Sequence, residues 1–249
     1  MLGPLTPVPS GPDGTVYPVR EDTLLLRPFA RAPPRGLLLE LGCGNGILSL
    51  AAARAGWRVV ATDRNPSALR RLRSEARQRG LDVGVVRTDL ARGLGRFDRV
   101  IANPPYLPTR PDERDPDPWT NLALDGGTDG LRVVRRIVGD LARHLRPGGE
   151  AFVLVSSLSP ASRRDRVWLR WRRGGGVAEP VATLELPGER LWVWRLSRSA
   201  RRGAAPHRGT GGRPRARRRR PTSSSPAPAR GRSSVRGGAS ARRRSPQGS

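Results

Sequence analysis

Residues 37–50 read LLLELGCGNGILSL, which is a short apolar run, a glycine-rich turn and the start of a second apolar segment. The run Leu37–Leu41 predicts a buried strand, and residues 47–55 predict a helix. Glycine lets a backbone turn sharply and approach a ligand closely. This stretch therefore predicts a strand, a tight turn and a helix in direct succession, with a ligand site at the turn.

Outward from this unit, candidate strands and helices alternate along most of the chain. Alternation of this kind predicts a parallel sheet that is covered by helices on both faces. Strands are predicted at residues 37–41, 58–62, 83–87, 97–102, 151–156, 181–186 and 191–196. Helices are predicted at residues 21–32, 47–55, 66–79, 130–145 and 159–173, and a long surface loop at 107–128.

The last two predicted strands are joined by Pro187-Gly188, a hairpin signal. A closing hairpin places one antiparallel strand in an otherwise parallel sheet. We therefore predict an α/β fold with a doubly wound, seven-stranded, Rossmann-like sheet that contains one antiparallel strand. This is the layout of the class I methyltransferases, and the hairpin argues against a dinucleotide dehydrogenase.

Positive charge is concentrated at the end of the chain. The 249 residues have a formal net charge of +26, and residues 201–249 contain 15 Arg and no acidic residue. Residues 199–249 contain almost no large apolar side chain, so they cannot offset the entropy of ordering the backbone. We predict a methyltransferase domain at residues 1–198 and a disordered Arg-rich tail at 199–249.

Two interpretations of the Arg-rich tail stay open. An arm of this composition binds nucleic acid nonspecifically, with an affinity that falls steeply as salt rises. The same composition is what GC-rich DNA encodes in many reading frames, so a frameshift or read-through is the other interpretation.

Cysteine content and hydropathy bound the remaining protein classes. Cys43 is the single cysteine, which excludes an intramolecular disulfide and a cysteine metal site within this chain. The first residues, MLGPLTPVPSGPDG, lack the charged start and apolar core of a secretory signal. No apolar run reaches the roughly 18 residues that cross a bilayer. We expect a cytoplasmic protein with no metal and no membrane contact.

The glycine-rich turn and the acid before it indicate which ligand this protein binds. Its spacing places Gly42, Gly44 and Gly46 at alternate positions, whereas dinucleotide-binding turns use Gly-x-Gly-x-x-Gly. Glu40 lies two residues before the first glycine. An anionic side chain there repels a pyrophosphate but suits the cationic amino group of S-adenosylmethionine. We therefore predict that Glu40 and the three glycines bind this cofactor.

Two further acids follow the next predicted strands. Asp63 lies about 20 residues after the turn, where an acid can accept hydrogen bonds from both ribose hydroxyls. The competing interpretation is that Asp63 caps the helix that begins near Pro66. Asp89, in RTDL, is predicted to accept from the adenine amino group, and its alternative is an ordinary carboxylate in a turn.

The sequence Asn103-Pro104-Pro105-Tyr106 follows the fourth predicted strand and is the candidate catalytic motif. In a doubly wound sheet, ligands bind beyond the carboxyl ends of the strands. The Asn103 side-chain oxygen and the Pro104 carbonyl can accept hydrogen bonds from a planar NH2 group. Pro104 and Pro105 hold that carbonyl rigidly, and Tyr106 can cover the acceptor group. The alternative is that Asn-Pro-Pro serves only as a turn.

With these motifs in view, residues 16–197 resemble the HemK-like protein-glutamine methyltransferases, and most of all the eukaryotic and archaeal branch that modifies class-1 release factors. The resemblance lies in motifs that occur in family order: VYPVREDTLLL, LELGCGNG, TDRNP, TDL, NPPYLP, ALDGGTDGLRVVRRI and GERLWVWRL. The basic tail is foreign to that family.

The resemblance implies specific roles. Asp22 and Thr23 would border the methionine end of the cofactor, although a plain helix start also explains an acid there. Asn103 and Pro104 would hold a glutamine carboxamide, and the product would be N5-methylglutamine in the Gly-Gly-Gln loop of a release factor. About 35 residues precede the glycine-rich turn, which fits the shorter branch, whose members often require a small zinc-binding activator subunit.

Other functions remain open at the level of sequence. A nucleic-acid adenine N6-methyltransferase faces the same chemical problem and uses an Asn-Pro-Pro-Tyr-type loop, but it must reach an unstacked base. A small-molecule amine is a more distant acceptor. A non-catalytic binder that retains the fold is disfavoured because Glu40, Asp63 and Asn103 are all present.

Overall fold

The computed structural model describes residues 16–34 and 36–198. The predicted disordered tail at residues 199–249 therefore lies outside the described residues, as do residues 1–15. The helices in the described part are α1 (Glu21–Arg31), α2 (Ile47–Arg54), α3 (Pro66–Gln78), α4 (Pro118–Leu124), α5 (Arg132–His144) and α6 (Ala161–Arg173). The strands are β1 (Leu37–Leu41), β2 (Arg58–Asp63), β3 (Val83–Arg87), β4 (Phe97–Ala102), β5 (Leu145–Ser156), β6 (Gly176–Leu186) and β7 (Glu189–Arg198).

The seven strands form one sheet in the order β3-β2-β1-β4-β5-β7-β6. Strands β1 to β5 pair in parallel, and β7 is antiparallel to both β5 and β6. The turn between β6 and β7 contains Gly188 at φ +76°, a conformation that glycine adopts without strain. The predicted seven-stranded class I methyltransferase fold with one antiparallel strand is confirmed.

Helices cover both faces of the sheet. Successive strand residues point to opposite sides, so each strand contributes side chains to both interfaces. Leu38 and Ile101 pack on one face with α1 and α2. Leu39 and Val100 pack on the other face with α5 and α6, where Trp168 is almost fully buried. The strands are therefore apolar on both sides, as expected for a parallel sheet between two helix layers.

Residues 107–128 are more regular than predicted. A 3-10 helix spans Pro111–Glu113, and α4 follows within the same segment. The carboxylate of Asp117 accepts hydrogen bonds from the amides of Trp119 and Thr120, and Pro118 occupies the first turn of α4. An acidic N-cap followed by proline is a helix start signal. The helix was not predicted because the many Pro and Asp residues around this signal are also typical of loops.

Strands β5 and β6 begin well before their predicted starts, and β7 begins slightly early, at Glu189. Strand β5 starts at Leu145, which pairs with Phe97 before the register shifts. Strand β6 starts at Gly176, and its pairing with β7 shifts between Pro180 and Ala182. Proline lacks a backbone donor and is tolerated at an irregularity of an edge strand, so Pro180 interrupts β6 without ending it. No helix in the described part of the chain is long and apolar enough to cross a membrane.

Candidate functional site at the carboxyl edge of the sheet

The register of three central strands brings the predicted motifs together. Leu41 pairs with Thr62 on one side and with Ala102 on the other. Gly42, Asp63 and Asn103 therefore lie next to one another at the carboxyl ends of β1, β2 and β4. Ligands bind at this edge in doubly wound sheets.

A cavity of about 740 Å³ opens at this edge. Every predicted site residue except Gly46 lines it. These residues are Asp22, Thr23, Glu40, Gly42, Gly44, Asp63, Asp89, Asn103, Pro104, Pro105 and Tyr106. The sequence motifs thus converge on one site rather than on separate surfaces.

The glycine-rich turn forms the floor of the cavity. Gly44 has φ +50°, and a Cβ built on it would meet nothing within 4 Å. Its backbone is therefore open on the side from which a ligand can approach closely. The amide of Cys43 donates to the Thr62 carbonyl at 2.8 Å, which ties the turn to β2.

Gly46 has a different role from the other two glycines. It is absent from the cavity lining and stands at φ +80° as the N-cap of α2. A Cβ there would lie 2.6 Å from Cδ1 of Leu72, a fully buried residue of α3. The structure therefore places Gly46 at the contact between α2 and α3.

Glu40 is almost completely buried beneath the turn. Its Oε2 accepts hydrogen bonds from the amide of Ser49, at 2.8 Å, and from the Ser49 hydroxyl. Burial raises the pKa of the Glu40 carboxyl to about 8, and the bonds from Ser49 oppose that rise only in part. A cation placed beside this group would favour its ionised form, which fits the amino group of S-adenosylmethionine.

Asp63 bridges the ends of β1 and β2. Its Oδ2 accepts from the Gly44 amide at 2.9 Å, and its Oδ1 accepts from the Asn65 amide at 2.8 Å. Asn65, not Asp63, caps α3, because its side chain accepts from the Ser67 amide. Each carboxylate oxygen has room for a second donor, so Asp63 retains acceptor capacity toward the cavity. Burial raises the pKa of Asp63.

Asp89 lies at the cavity wall but is paired within the protein. Its Oδ2 accepts from Arg136 of α5 at 2.6 Å. Both side chains are partly exposed, so the pair contributes little to stability. The Arg136 guanidinium, which also lines the cavity, is a partner that the sequence did not reveal.

The Asn-Pro-Pro-Tyr motif presents a free side-chain acceptor, Oδ1 of Asn103. Nδ2 of Asn103 donates to the Thr23 hydroxyl at 3.3 Å, while Oδ1 of Asn103 is buried and has no hydrogen-bond partner in the described residues. Buried polar atoms are nearly always satisfied, and an unsatisfied one is a candidate for ligand binding. Pro104 is buried beside it and lines the same cavity.

Two lining residues, Tyr17 and Glu189, carry chemistry that sequence reasoning did not assign. Tyr17 donates from its hydroxyl to Asp22, and its place in VYPVREDT is the available signal. Glu189 also lines the cavity, and so does Trp119, whose place in the predicted loop already made it a candidate contact for substrate. Trp119 stands on α4, whose presence was not predicted, and Glu189 stands at the start of β7, far along the chain from the other motifs.

Comparison with known proteins finds methyltransferases. Residues 21–115 match the model of the methyltransferase small domain. A Methanocaldococcus jannaschii protein assigned to the protein N5-glutamine methyltransferases is 34% identical over 186 residues, which are 73% of this chain and 92% of that protein. The release factor glutamine methyltransferase of Mycolicibacterium smegmatis is 38% identical over 80% of this chain and 73% of its own length.

A solved structure shows the same relationship in three dimensions. One chain of the E. cuniculi Mtq2–Trm112 complex, which methylates the translation termination factor eRF1, is 25% identical with a TM-score of 0.58. The alignment covers 74% of this chain and 99% of that chain. The chain belongs to the HemK-like family of S-adenosylmethionine-dependent protein N5-glutamine methyltransferases.

Proposed function

We propose that this protein methylates the side-chain amide nitrogen of a glutamine in the Gly-Gly-Gln loop of a class-1 peptide release factor. The observation that carries the proposal is the buried, unpartnered Oδ1 of Asn103 at the end of β4. A primary carboxamide supplies two N–H donors on one planar nitrogen. Asn103 Oδ1 would accept one of them, and the Pro104 carbonyl would accept the other.

The cofactor assignments follow from the same cavity. Glu40 would meet the amino group of S-adenosylmethionine, Asp63 the ribose hydroxyls and Asp89 the adenine amino group. Gly42 and Gly44 leave the backbone open beside these acids. When bound, S-adenosylmethionine supplies an electrophilic methyl group on its sulfonium.

The protein's own residues contribute orientation rather than a base. Two acceptors on the NH2 group hold the nitrogen in one plane and one direction, and such positioning lowers a barrier by several kcal/mol. Burial raises the pKa of the Tyr106 phenol, with the Asp22 charge adding to the effect, so its hydroxyl stays protonated at neutral pH. Tyr106 can therefore line the site and cover the acceptor group, but it cannot serve as a base. The methylated nitrogen would lose its extra proton to water.

One finer point rests on the relatives. Release factor glutamine methyltransferases are among the proteins that this chain resembles, and so is a chain of the Mtq2–Trm112 complex that is responsible for methylation of eRF1. We propose that a small zinc-binding activator subunit assists this chain as well. Co-expression with the homologous subunit from the same source should raise the soluble yield and the methylation rate. Equal yield and rate without it would refute this part.

The decisive experiment is mass spectrometry of the acceptor. The full chain, with the activator subunit, is incubated with S-adenosylmethionine and a release factor from the same source. We expect one added methyl group on the Gly-Gly-Gln glutamine, and none with Asn103→Ala. In a parallel reaction, methyladenine in total RNA or DNA beside an unmodified release factor would overturn the proposal in favour of the adenine N6-methyltransferase.

A further inference from the structure

Glu189 reaches the cavity from the antiparallel end of the sheet. Strand β7 runs antiparallel to β5, so it begins at the carboxyl edge, where the parallel strands end. In the sheet, β5 and β7 lie on one side of β4, and β1, β2 and β3 lie on the other. The acids assigned to the cofactor follow or end β1, β2 and β3. Glu189 therefore stands across β4 from them, on the side that remains for the methyl acceptor.

The end of β5 holds the Glu189 carboxylate in place. Its Oε1 accepts a hydrogen bond from the hydroxyl of Ser156, which is fully buried. The same hydroxyl oxygen accepts from the Leu158 amide at 3.0 Å. A hydroxyl has one proton to donate, and that of Ser156 is committed to Glu189. The amide of Ser157 also donates to the carbonyl of Arg190 at 2.8 Å, which ties the backbone beside Glu189 to the end of β5.

The second oxygen of Glu189, Oε2, is available to a ligand. It accepts no hydrogen bond in the described part of the chain, and no arginine there forms an ion pair with Glu189. The adjacent Arg190 pairs with Glu185 on the neighbouring strand. Glu189 is only half-exposed, and a partly buried carboxylate is stabilised by N–H donors. The free oxygen thus favours a ligand that brings an N–H group.

The Asn-Pro-Pro-Tyr motif is within electrostatic reach of this carboxylate. Burial raises the pKa of Tyr106 most, and the charges of Asp22, Tyr17 and Glu189 add to the rise. Glu189 is therefore near the group that would cover the carboxamide. Asn103 and Pro104 would hold only the carboxamide itself, so neither accounts for recognition of the residues that precede the glutamine.

We propose that Glu189 binds the backbone of the acceptor loop, by accepting a hydrogen bond from the N–H of one of the two glycines before the methylated glutamine. This inference rests on the proposed function, because it takes Gly-Gly-Gln as the acceptor. Glycine has no Cβ, so its backbone can approach a cavity wall closely. An N–H that meets an ionised carboxylate forms a stronger hydrogen bond than one that meets a neutral acceptor.

The test uses three peptides with the full chain and the activator subunit: the unmodified Gly-Gly-Gln peptide, and two in which one or the other glycine is replaced by N-methylglycine. Each replacement removes one backbone N–H. In wild type, we expect one of the two replacements to lower kcat/KM by about tenfold, as for loss of a hydrogen bond to a charged group. Glu189→Ala should lower kcat/KM by a similar factor with the unmodified peptide, and that same replacement should then have no further effect.

Asp165→Ala, on the exposed face of α6, is the control and should behave as wild type with all three peptides. The Kd for S-adenosylmethionine, measured by calorimetry, should stay within about twofold in both variants, which shows that the cofactor half of the site is intact. Equal sensitivity of wild type and Glu189→Ala to N-methylation would overturn the backbone contact, and so would a wild type that tolerates both replacements. If Glu189→Ala abolishes a preference for Arg or Lys beside the glutamine, the carboxylate binds a side chain and the backbone assignment is wrong. A wild-type protein that binds S-adenosylmethionine but leaves both peptide and release factor unmethylated would instead refute the proposed function.

Discussion

Oδ2 of Asp63 accepts a hydrogen bond from the amide of Gly44 at 2.9 Å, so the acid that ends β2 holds the glycine-rich turn that follows β1. The proposed ribose acceptor, Asp63, is therefore linked directly to the glycine-rich turn that forms the floor of the cavity. A change at Asp63 should alter both the acceptor and the turn.

Asp63→Ala is expected to weaken S-adenosylmethionine binding by at least tenfold. Hydrogen bonds to a charged acceptor each contribute about 1.5–3 kcal/mol, and the turn loses its tether as well. Calorimetric titration measures the change, with Asp82→Ala at an exposed position as control. Equal affinity in the two variants would remove Asp63 from the cofactor site.

Glu40 should make stability depend on pH in a defined direction. Burial raises its pKa from the usual value near 4.5 to about 8 in the folded state. The folded state therefore holds a proton that the unfolded chain releases, and stability falls as pH rises through this window. Glutamine does not titrate, so Glu40→Gln does not lose stability in this way. Between pH 5 and pH 8.5, the free energy of unfolding of the variant should therefore rise relative to that of wild type by on the order of a few kcal/mol.

Urea unfolding of the two proteins at both pH values, without cofactor, measures this difference. The other acids are common to both proteins and cancel in the comparison, apart from Asp63, whose charge adds a small part of the rise in the Glu40 pKa. A difference that stays constant across the window would show that Glu40 has an ordinary pKa.

Gly46→Ala should destabilise the fold more than Gly80→Ala. Both glycines have positive φ, at +80° and +61°, but only Gly46 faces a close neighbour, the buried Leu72. Overpacking costs about 1–3 kcal/mol beyond the backbone strain that the two variants share. Thermal or urea unfolding compares them directly. Similar losses for both would mean that α3 moves aside at little cost.

Trp119→Ala should weaken binding of the acceptor peptide but not binding of the cofactor. This half-buried indole on α4 lines the cavity, and aromatic anchors dominate the energetics of peptide recognition. We expect KM for the Gly-Gly-Gln peptide to rise about tenfold, with an unchanged Kd for S-adenosylmethionine. Leu169→Ala, on the exposed face of α6, is the control. If the cofactor affinity falls instead, Trp119 belongs to the cofactor half of the cavity.

Truncation after Arg198 should separate methylation from nucleic-acid binding. The described helices and strands all end by this residue, and the 15 Arg of residues 201–249 follow it. We expect unchanged kcat with the peptide, together with loss of a salt-sensitive affinity for single-stranded RNA. Fluorescence anisotropy at two salt concentrations measures the affinity. Loss of methylation in the truncated chain would place part of the active unit beyond residue 198.

Local chemistry in the sequence determined the order of strands and helices, the position of each loop motif, and the carboxyl edge at which ligands bind. Apolar runs, glycine turns and a closing hairpin are short-range signals, and the rule for parallel sheets then places Glu40, Asp63 and Asn103 at one edge. The helix in residues 107–128 was missed because its N-cap lies among prolines and acids that also mark loops.

Tertiary structure alone decided which of these groups are free. The hydroxyls of Tyr17 and Tyr106 both donate to Asp22, and Nδ2 of Asn103 donates to the Thr23 hydroxyl. Gly46 packs against α3 instead of lining the cavity. Contacts across 80 or more residues, such as Thr23 with Asn103, depend on how α1 closes over the completed sheet. The packing of α1 on the sheet cannot be predicted from local sequence propensities. Its energy comes from burying apolar surface between elements that lie far apart in the chain.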